Sequence, residues 1–165
     1  MPQVLVGLDR ISTEIDAGAC AYDVVGDKAR QVVVARVNGE IVDLSHPLAD
    51  GDAVEPILIS DPEGLSVLRH SVAHIVAQAT QAIFDDVKLG IGPPIKDGFF
   101  YDFGTTRTFT PDDLVTIEKK CVEIINSGQK FSRRVTNREA ARSELSNEPF
   151  KIRLLGADED ATVMS

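Results

Sequence analysis

The spacing of apolar residues changes once along this 165-residue chain, and that change limits the possible folds more than any other feature. Before residue 60, short apolar runs alternate with turn residues, which is typical of strands. The polar cluster Ser60-Asp61-Pro62-Glu63-Gly64 ends this pattern, and apolar residues then recur at helical intervals from Leu65 to Phe84. The sequence therefore predicts an α+β protein with one domain over residues 1–60, a junction over 61–64 and a second domain over 65–155.

The first 60 residues carry the signals of a small β-rich domain. Asn38-Gly39 separates two apolar runs and predicts a two-residue hairpin, because both residues tolerate positive φ. A short helix fits only between Ala17 and Lys28, after the first two strands. Together with a last strand over Val54 to Ile59, the predicted order is strand, strand, helix, strand, strand, strand. This order indicates a ubiquitin-like β-grasp.

The second domain is predicted to combine a long first helix with antiparallel strands. Lys96-Asp97-Gly98 supplies a hairpin turn between two short strands. Thr110-Pro111-Asp112-Asp113 combines a capping hydroxyl, a proline suited to the first helical position and acids that complement the helix dipole. The remaining expected elements are a helix from there to Asn126, a short helix from Thr136 to about Leu145, a strand over Phe150 to Leu155, and a loose acidic tail over 156–165.

Charge and hydropathy exclude several functions. A formal net charge of −9 argues against a surface that binds DNA or another polyanion throughout. Four basic residues in the second half are nevertheless candidates for local contact with RNA, although a solvated helix face explains them equally well: Lys130, Arg133, Arg134 and Arg138. No apolar stretch approaches the roughly 18 residues of a membrane span. Because no secretory leader is recognisable either, the chain is expected to be cytoplasmic.

His70 and His74 are the strongest candidates for chemistry, since four-residue spacing on a helix directs both imidazoles to the same side. The pair is compatible with two metal ligands, with a base and a polariser of an attacking water, or with hydrogen-bonded structural side chains. Ser71 stands where a zinc protease of the His-Glu-x-x-His type carries glutamate, so that class is excluded. The sequence leaves the other three interpretations open.

Other motifs point away from common catalytic sites. Gly90-Ile91-Gly92-Pro93-Pro94 lacks the Gly-Lys-Ser/Thr ending of a P-loop, and its prolines remove backbone N–H donors. This segment is better interpreted as a rigid hairpin that lines a pocket. Cys20 and Cys121 lie far apart without a nearby second cysteine, so neither a disulfide nor a thiolate zinc site is indicated.

Three motifs that follow one another in the second domain are His70-Ser71-Val72-Ala73-His74, Gly90-Ile91-Gly92-Pro93-Pro94 and Asp97-Gly98-Phe99-Phe100-Tyr101-Asp102. This stretch resembles the opening of the editing domain of bacterial threonyl-tRNA synthetases, which is related to that of alanyl-tRNA synthetases. The first 60 residues resemble the TGS domain that precedes it, and Asn147-Glu148-Pro149-Phe150-Lys151 follows in the order typical of the family. The resemblance covers essentially the whole chain.

This resemblance implies a hydrolase that acts on mischarged Ser-tRNA(Thr). A threonine site cannot exclude serine by affinity alone, because one methyl group is worth about 1–3 kcal/mol. By resemblance, His70 and His74 hold the seryl-adenosine end of the tRNA and position the hydrolytic water, and Lys151 contributes to catalysis. The residues expected to line the pocket are Gly92, Pro93, Asp97, Phe99 and Tyr101.

The resemblance is incomplete. The family carries a later segment of the form Asp-x-Cys-x-Gly-Pro-His, which does not occur in these 165 residues. The class II aminoacylation core, with its ATP, magnesium and zinc sites and its homodimer contacts, is absent as well. No cofactor or metal is therefore expected here, and the expected partner is the 3′ end of tRNA(Thr).

Two hypotheses follow. In the first, the chain is an N-terminal fragment of a full synthetase, inactive in aminoacylation and weak or inactive in editing. In the second, it is a freestanding non-catalytic protein that binds tRNA or a synthetase.

Overall fold

The computed structural model describes residues 1–25, 30–129, 135–157 and 163–164. Packing divides the chain into two compact units, Met1–Arg69 and His70–Ser165. Within the described residues, no helix is both long and apolar enough to cross a membrane.

The first unit is a β-grasp, as predicted. Its elements are β1 (Gln3–Val6), β2 (Ile11–Glu14), α1 (Ala21–Val24), β3 (Val32–Val37), β4 (Glu40–Val42) and β5 (Ala53–Leu58). The five strands form one sheet in the order β2-β1-β5-β3-β4. The central pair, β1 and β5, is parallel, and the other neighbours are antiparallel. The core of this unit contains buried apolar side chains: Val4, Ile15, Ala19, Ala21, Ala35, Val37 and Val54.

The predicted hairpin at Asn38-Gly39 is confirmed. Both residues have positive φ, at 51° and 93°, and Val37 pairs with Glu40 across the turn. The Asn38 side chain has a further role, because its Oδ1 accepts from the Ala53 amide at 3.0 Å and its Nδ2 donates to Asp52 at 2.7 Å. The turn is thus fastened to the start of β5.

The predicted junction over residues 61–64 coincides with the start of helix α2 (Pro62–Ile83), and the division between the units falls inside this helix, after Arg69. The Leu65 amide bonds the Asp61 carbonyl at 2.9 Å. A Cβ at Gly64 would lie 2.0 Å from the Leu58 carbonyl oxygen, so this turn packs directly on the end of β5. Arg36 of β3 also forms ion pairs with Glu55 and Glu63. The polar cluster therefore begins a packed helix and does not form an extended linker.

The described residues of the second unit contain the rest of α2 and nine further elements. These are β6 (Lys88–Leu89), β7 (Pro94–Ile95), β8 (Gly98–Phe99), β9 (Phe103–Gly104), α3 (Pro111–Asn126), β10 (Val135–Thr136), α4 (Arg138–Glu144), α5 (Pro149–Ala157) and β11 (Val163–Met164). Helix α2 packs against α3 through a core centred on four buried residues: Ala79, Phe84, Val87 and Ile117.

The hairpin around Lys96-Asp97 and helix α3 form as predicted. β7 pairs with β8 next to the turn, and β6 pairs with β9 further out. Thr110 caps α3 reciprocally with Asp113: the Asp113 amide donates to the threonine hydroxyl, and the Thr110 amide donates to the carboxylate. The predicted start of the short helix at Thr136 is too early, because Thr136 belongs to β10 and α4 begins at Arg138, where the Asn137 side chain caps it by accepting from the Ala140 amide.

The predicted strand over Phe150 to Leu155 is wrong, since these residues form most of helix α5. Pro149 occupies the first helical position, where its fixed φ and missing N–H are no disadvantage. The Ile152 amide then bonds the Glu148 carbonyl at 3.1 Å. Of the predicted acidic tail over 156–165, the first two residues belong to this helix, which ends at Ala157, and Val163–Met164 pair with β10. Residues 158–162 and 165 lie outside the described residues.

Candidate functional site

The second unit contains a cavity of about 650 Å³. Helix α2 contributes two imidazoles, and the segment before β7 contributes backbone and small side chains. Helices α4 and α5 close the other sides. The lining residues are His70, His74, Gly90, Ile91, Gly92, Pro93, Tyr101, Thr136, Ala141, Glu144, Leu145, Lys151, Leu154 and Leu155.

The two histidines contact each other across one turn of α2. Their Nε2 atoms are 3.1 Å apart, and the rings meet edge to face with centroids 4.6 Å apart. One Nε2 must donate and the other accept in this hydrogen bond, so the two tautomers are coupled. Both side chains keep solvent-accessible surface, so water can reach the pair.

The surroundings of His74 favour its neutral form. Partial burial lowers its pKa below the usual value of 6.5, and the positive charges that His70 and Lys151 can carry lower it further. A neutral imidazole offers a lone pair that can accept a proton from water. The cavity therefore contains a base that remains available at neutral pH.

Lys151 reaches the cavity because of the way α5 is attached. The Glu148 carboxylate accepts from the Leu89 amide at 2.7 Å and from Gln81 Nε2 at 2.6 Å. These bonds attach the start of α5 to β6 and to α2. Lys151 follows three residues later, which is nearly one helical turn. Sequence reasoning missed Glu148 and Gln81, although a glutamate directly before a proline was a usable signal for a helix start.

Gly92 and Tyr101 form one wall of the cavity. A Cβ at position 92 would lie 2.2 Å from Cδ2 of the Tyr101 ring, so only glycine allows the ring to rest on the backbone here. The ring also stacks on Phe103, with centroids 4.9 Å apart and planes at 21°. Burial raises the pKa of Tyr101, and the nearby Glu148 charge raises it further. The phenol therefore stays protonated and can donate a hydrogen bond.

Six of the eight predicted site residues line the cavity: His70, His74, Lys151, Gly92, Pro93 and Tyr101. Asp97 lies in the exposed hairpin turn, and Phe99 lies in β8, and neither is among the lining residues. Of the predicted RNA contacts, Lys130, Arg133 and Arg134 lie outside the described residues. Arg138 begins α4 and is not part of the cavity wall.

The apolar residues of α4 and α5 that line the cavity were not predicted. Ala141 of α4 and Leu145, which caps the C-terminal end of that helix, line the cavity on one side. Leu154 and Leu155 line it from α5. Ala141 and Leu145 are four positions apart and Leu154 and Leu155 are adjacent, as on any buried helix face. No local signal therefore distinguishes them from core residues.

The histidine pair makes a poor metal site on its own. The pair offers two imidazole nitrogens as ligands. A structural zinc site needs four ligands, and a catalytic zinc site needs three from the protein. Within residues 1–25, 30–129, 135–157 and 163–164, no group of three or more His, Cys, Asp or Glu side chains converges. The described residues alone thus give this pair no third protein ligand.

The β-grasp unit is a TGS domain, and that family matches residues 5–57. The chain as a whole corresponds to the N-terminal region of bacterial threonine–tRNA ligases.

Three similar ligases illustrate the match. The threonine–tRNA ligase of Streptomyces griseus subsp. griseus is 59% identical over 127 residues, which are 77% of this chain and 19% of the relative. That of Thermobifida fusca is 50% identical over 155 residues, or 94% of this chain and 24% of the relative. That of Paenarthrobacter aurescens is 47% identical over 160 residues, or 97% of this chain and 24% of the relative. The chain thus spans about a fifth to a quarter of the length of these relatives.

Proposed function

We propose that the cavity belongs to an editing site of a threonine–tRNA ligase, which hydrolyses the ester of tRNA(Thr) wrongly charged with serine. The observation that supports this most directly is the meeting of a neutral imidazole, its hydrogen-bonded partner and a lysine in one solvent-accessible cavity. The similarity to threonine–tRNA ligases supplies the substrate class.

In this proposal the imidazole pair activates water. The water oxygen attacks the seryl ester carbonyl, and its proton passes to the ring lone pair that the hydrogen bond between the two Nε2 atoms leaves free, at Nδ1 of the donating imidazole. The tetrahedral intermediate then expels the ribose oxygen, which takes the proton back from the imidazolium and becomes a hydroxyl, and serine is released as the acid. Because the two Nε2 atoms are hydrogen-bonded, a proton accepted by one ring is shared with the other.

Lys151 and Tyr101 stabilise the bound substrate. The Lys151 ammonium is placed to stabilise negative charge on the ester oxygen as the carbonyl becomes tetrahedral. Tyr101 and the Gly92 backbone offer a flat surface for the terminal adenosine, and the protonated Tyr101 hydroxyl can donate to it. Aromatic rings are common stacking partners for unpaired nucleotides.

The remaining functions of the full-length relatives are proposed to lie in segments that these 165 residues do not match. They include the ATP-dependent ligation with its magnesium and zinc, the homodimer contacts, and the Cys/His segment that completes editing. On this view the chain alone does not aminoacylate and edits weakly, and it acts on cytoplasmic tRNA.

The test is deacylation of Ser-tRNA(Thr) by the 165-residue chain and by a chain extended through the Asp-x-Cys-x-Gly-Pro-His segment, with Thr-tRNA(Thr) as the control substrate. We expect the extended chain to hydrolyse the seryl ester much faster and to spare the threonyl ester. His74→Ala in the extended chain should remove most of this activity.

Two results would count against the proposal. Equal rates for the short and extended chains would show that the described cavity is already complete. Binding of tRNA by the extended chain without any hydrolysis would favour the non-catalytic alternative.

A further inference from the structure

A second recess of about 450 Å³ adjoins the proposed editing cavity. The two share Gly90, Ile91 and Leu154 as a common wall. On its far side the recess is lined by residues that the proposed reaction does not use. Three of these carry recognisable binding chemistry: Asp102, Phe150 and Arg153.

Phe150 presents a partly exposed aromatic ring in a fixed place. The residue is 39% exposed, and it belongs to the first turn of α5. A Cβ at Gly104 would lie 2.4 Å from Cε2 of the ring, so the ring packs closely on the β9 backbone. An exposed ring supported in this way is a suitable stacking surface for a base.

Arg153 and Asp102 add opposite charges next to this ring. The Arg153 guanidinium carbon is 5.8 Å from the centroid of Phe150. Asp102 is an exposed residue whose backbone is fixed by two hydrogen bonds, from the Gly90 amide to its carbonyl at 2.8 Å and from its amide to the Ile91 carbonyl at 2.9 Å. These three side chains suit a nucleotide: the ring can stack on a base, the cation can bind a phosphate, and the carboxylate can accept a hydrogen bond from an exocyclic amine.

We propose that this recess binds the penultimate nucleotide of the tRNA, the cytidine that precedes the terminal adenosine. The inference rests on the proposed function, because a terminal adenosine in the first cavity requires its neighbour to lie directly beside it. The cytosine stacks on Phe150, its N4 amine donates to Asp102, and Arg153 contacts the phosphate that links the two nucleotides. A uracil would place its O4 acceptor against the Asp102 carboxylate and would be disfavoured.

The test compares three non-hydrolysable probes by calorimetry with the chain extended through the Asp-x-Cys-x-Gly-Pro-His segment. These are 3′-seryl-amino-3′-deoxyadenosine and the same compound extended at its 5′ side by cytidylate or by uridylate. We expect cytidylate to increase affinity about tenfold, which is within the range for one stacked base, and uridylate to increase it less. Phe150→Leu and Arg153→Gln should each remove most of this gain and leave the affinity of the adenosine probe within about twofold.

Two further variants complete the design. Asp102→Asn should reduce the preference for cytidylate over uridylate. Arg142→Gln removes an exposed arginine of α4 that lines neither recess, so it should leave the gain unchanged.

The outcomes separate the two proposals. Binding of the adenosine probe with no gain from cytidylate overturns the recess assignment alone, as does a gain that survives both Phe150→Leu and Arg153→Gln. Failure of every probe to bind overturns both proposals. If Phe150→Leu also weakens binding of the adenosine probe, it disturbs the first cavity as well. The result for Arg153→Gln, at an exposed position, then decides whether the recess binds cytidylate.

Discussion

The Glu148 carboxylate accepts a hydrogen bond of 2.7 Å from the backbone amide of Leu89, and this contact joins helix α5 to strand β6. The same carboxylate binds Gln81 of α2 at 2.6 Å. Since α5 carries Lys151 and α2 carries His70 and His74, Glu148 connects the elements that bring the lysine and the imidazoles to one cavity.

Removal of this connection should affect both stability and the site. Glu148→Ala leaves the backbone amide of Leu89 without its hydrogen-bond acceptor. An unsatisfied donor of this kind costs about 1–3 kcal/mol. Chemical denaturation should show that loss in the free energy of unfolding. Deacylation of Ser-tRNA(Thr) by the extended chain should fall as well, because Lys151 loses its fixed position.

Glu118→Ala is the matched control for this change. Glu118 is an exposed carboxylate of α3, and its removal should change the unfolding free energy by no more than about 0.5 kcal/mol. If Glu148→Ala behaves like Glu118→Ala in both measurements, the connecting role is refuted.

The contact between Gly92 and Tyr101 predicts a non-additive pair of substitutions. Gly92→Ala places a methyl group 2.2 Å from the tyrosine ring and must displace it. We expect weaker binding of 3′-seryl-amino-3′-deoxyadenosine. In a Tyr101→Ala background the same methyl meets no ring, so Gly92→Ala should then cost little. Additive losses in this double-mutant cycle would show that the ring is not what position 92 accommodates.

Elements with local signals could be predicted from the sequence, whereas elements decided by distant contacts could not. The hairpin at Asn38-Gly39 and the cap at Thr110 depend on residues within a few positions, and both form as expected. Phe150 to Leu155 has strand-like composition, but Pro149 and the attachment of Glu148 to β6 and α2 favour a helix. Those partners are 59 and 67 positions away, beyond the reach of local patterns.

The candidate site divides in the same way. Helical spacing alone placed His70 and His74 together, and the structure adds their direct hydrogen bond. Asp97 and Phe99 lie close in sequence to the pocket-lining segment, yet neither is among the lining residues. Sequence proximity could not reveal which residues of this hairpin line the cavity.

The cap of α3 offers a test of stability that leaves the site untouched. Thr110→Ala removes the side chain that accepts from the Asp113 amide, and loss of such a cap costs about 0.5–2 kcal/mol. The unfolding midpoint in urea should fall accordingly, while binding of the adenosine probe should not change. Thr110→Ser keeps the hydroxyl and should recover most of the lost stability. An equal loss in both variants would mean that the methyl group, and not the cap, matters.

The same cap gives α3 a pH dependence of known sign. Hydrogen bonds from the Thr110 amide and hydroxyl lower the pKa of Asp113, and the Arg107 charge lowers it further. The folded form therefore favours the ionised carboxylate, and this contribution is present at neutral pH and is lost as the pH falls through the lowered pKa. Asp113→Asn should flatten the acid limb of a plot of unfolding free energy against pH. An unchanged acid limb would show that Asp113 does not contribute to it.

The charges around His74 give the most direct test of the proposed base. Burial is the main cause of its lowered pKa, and the charges of His70 and Lys151 add to it. Lys151→Met removes one of these charges, so the pKa of His74 should rise toward 6.5, as followed by NMR titration of the ring. Lys119→Met, which removes an exposed lysine of α3, should leave the titration unchanged. A titration of His74 in Lys151→Met identical to that of the unmodified chain would place the lysine too far away to assist the reaction.

The lowered pKa of His74 also predicts how the stability of the fold depends on pH. A histidine whose pKa is lower in the folded than in the unfolded chain stabilises the fold above the unfolded pKa, and this contribution is lost as the pH falls through the folded pKa. His74→Asn should therefore remove this part of the pH dependence of the unfolding free energy below about pH 6.5.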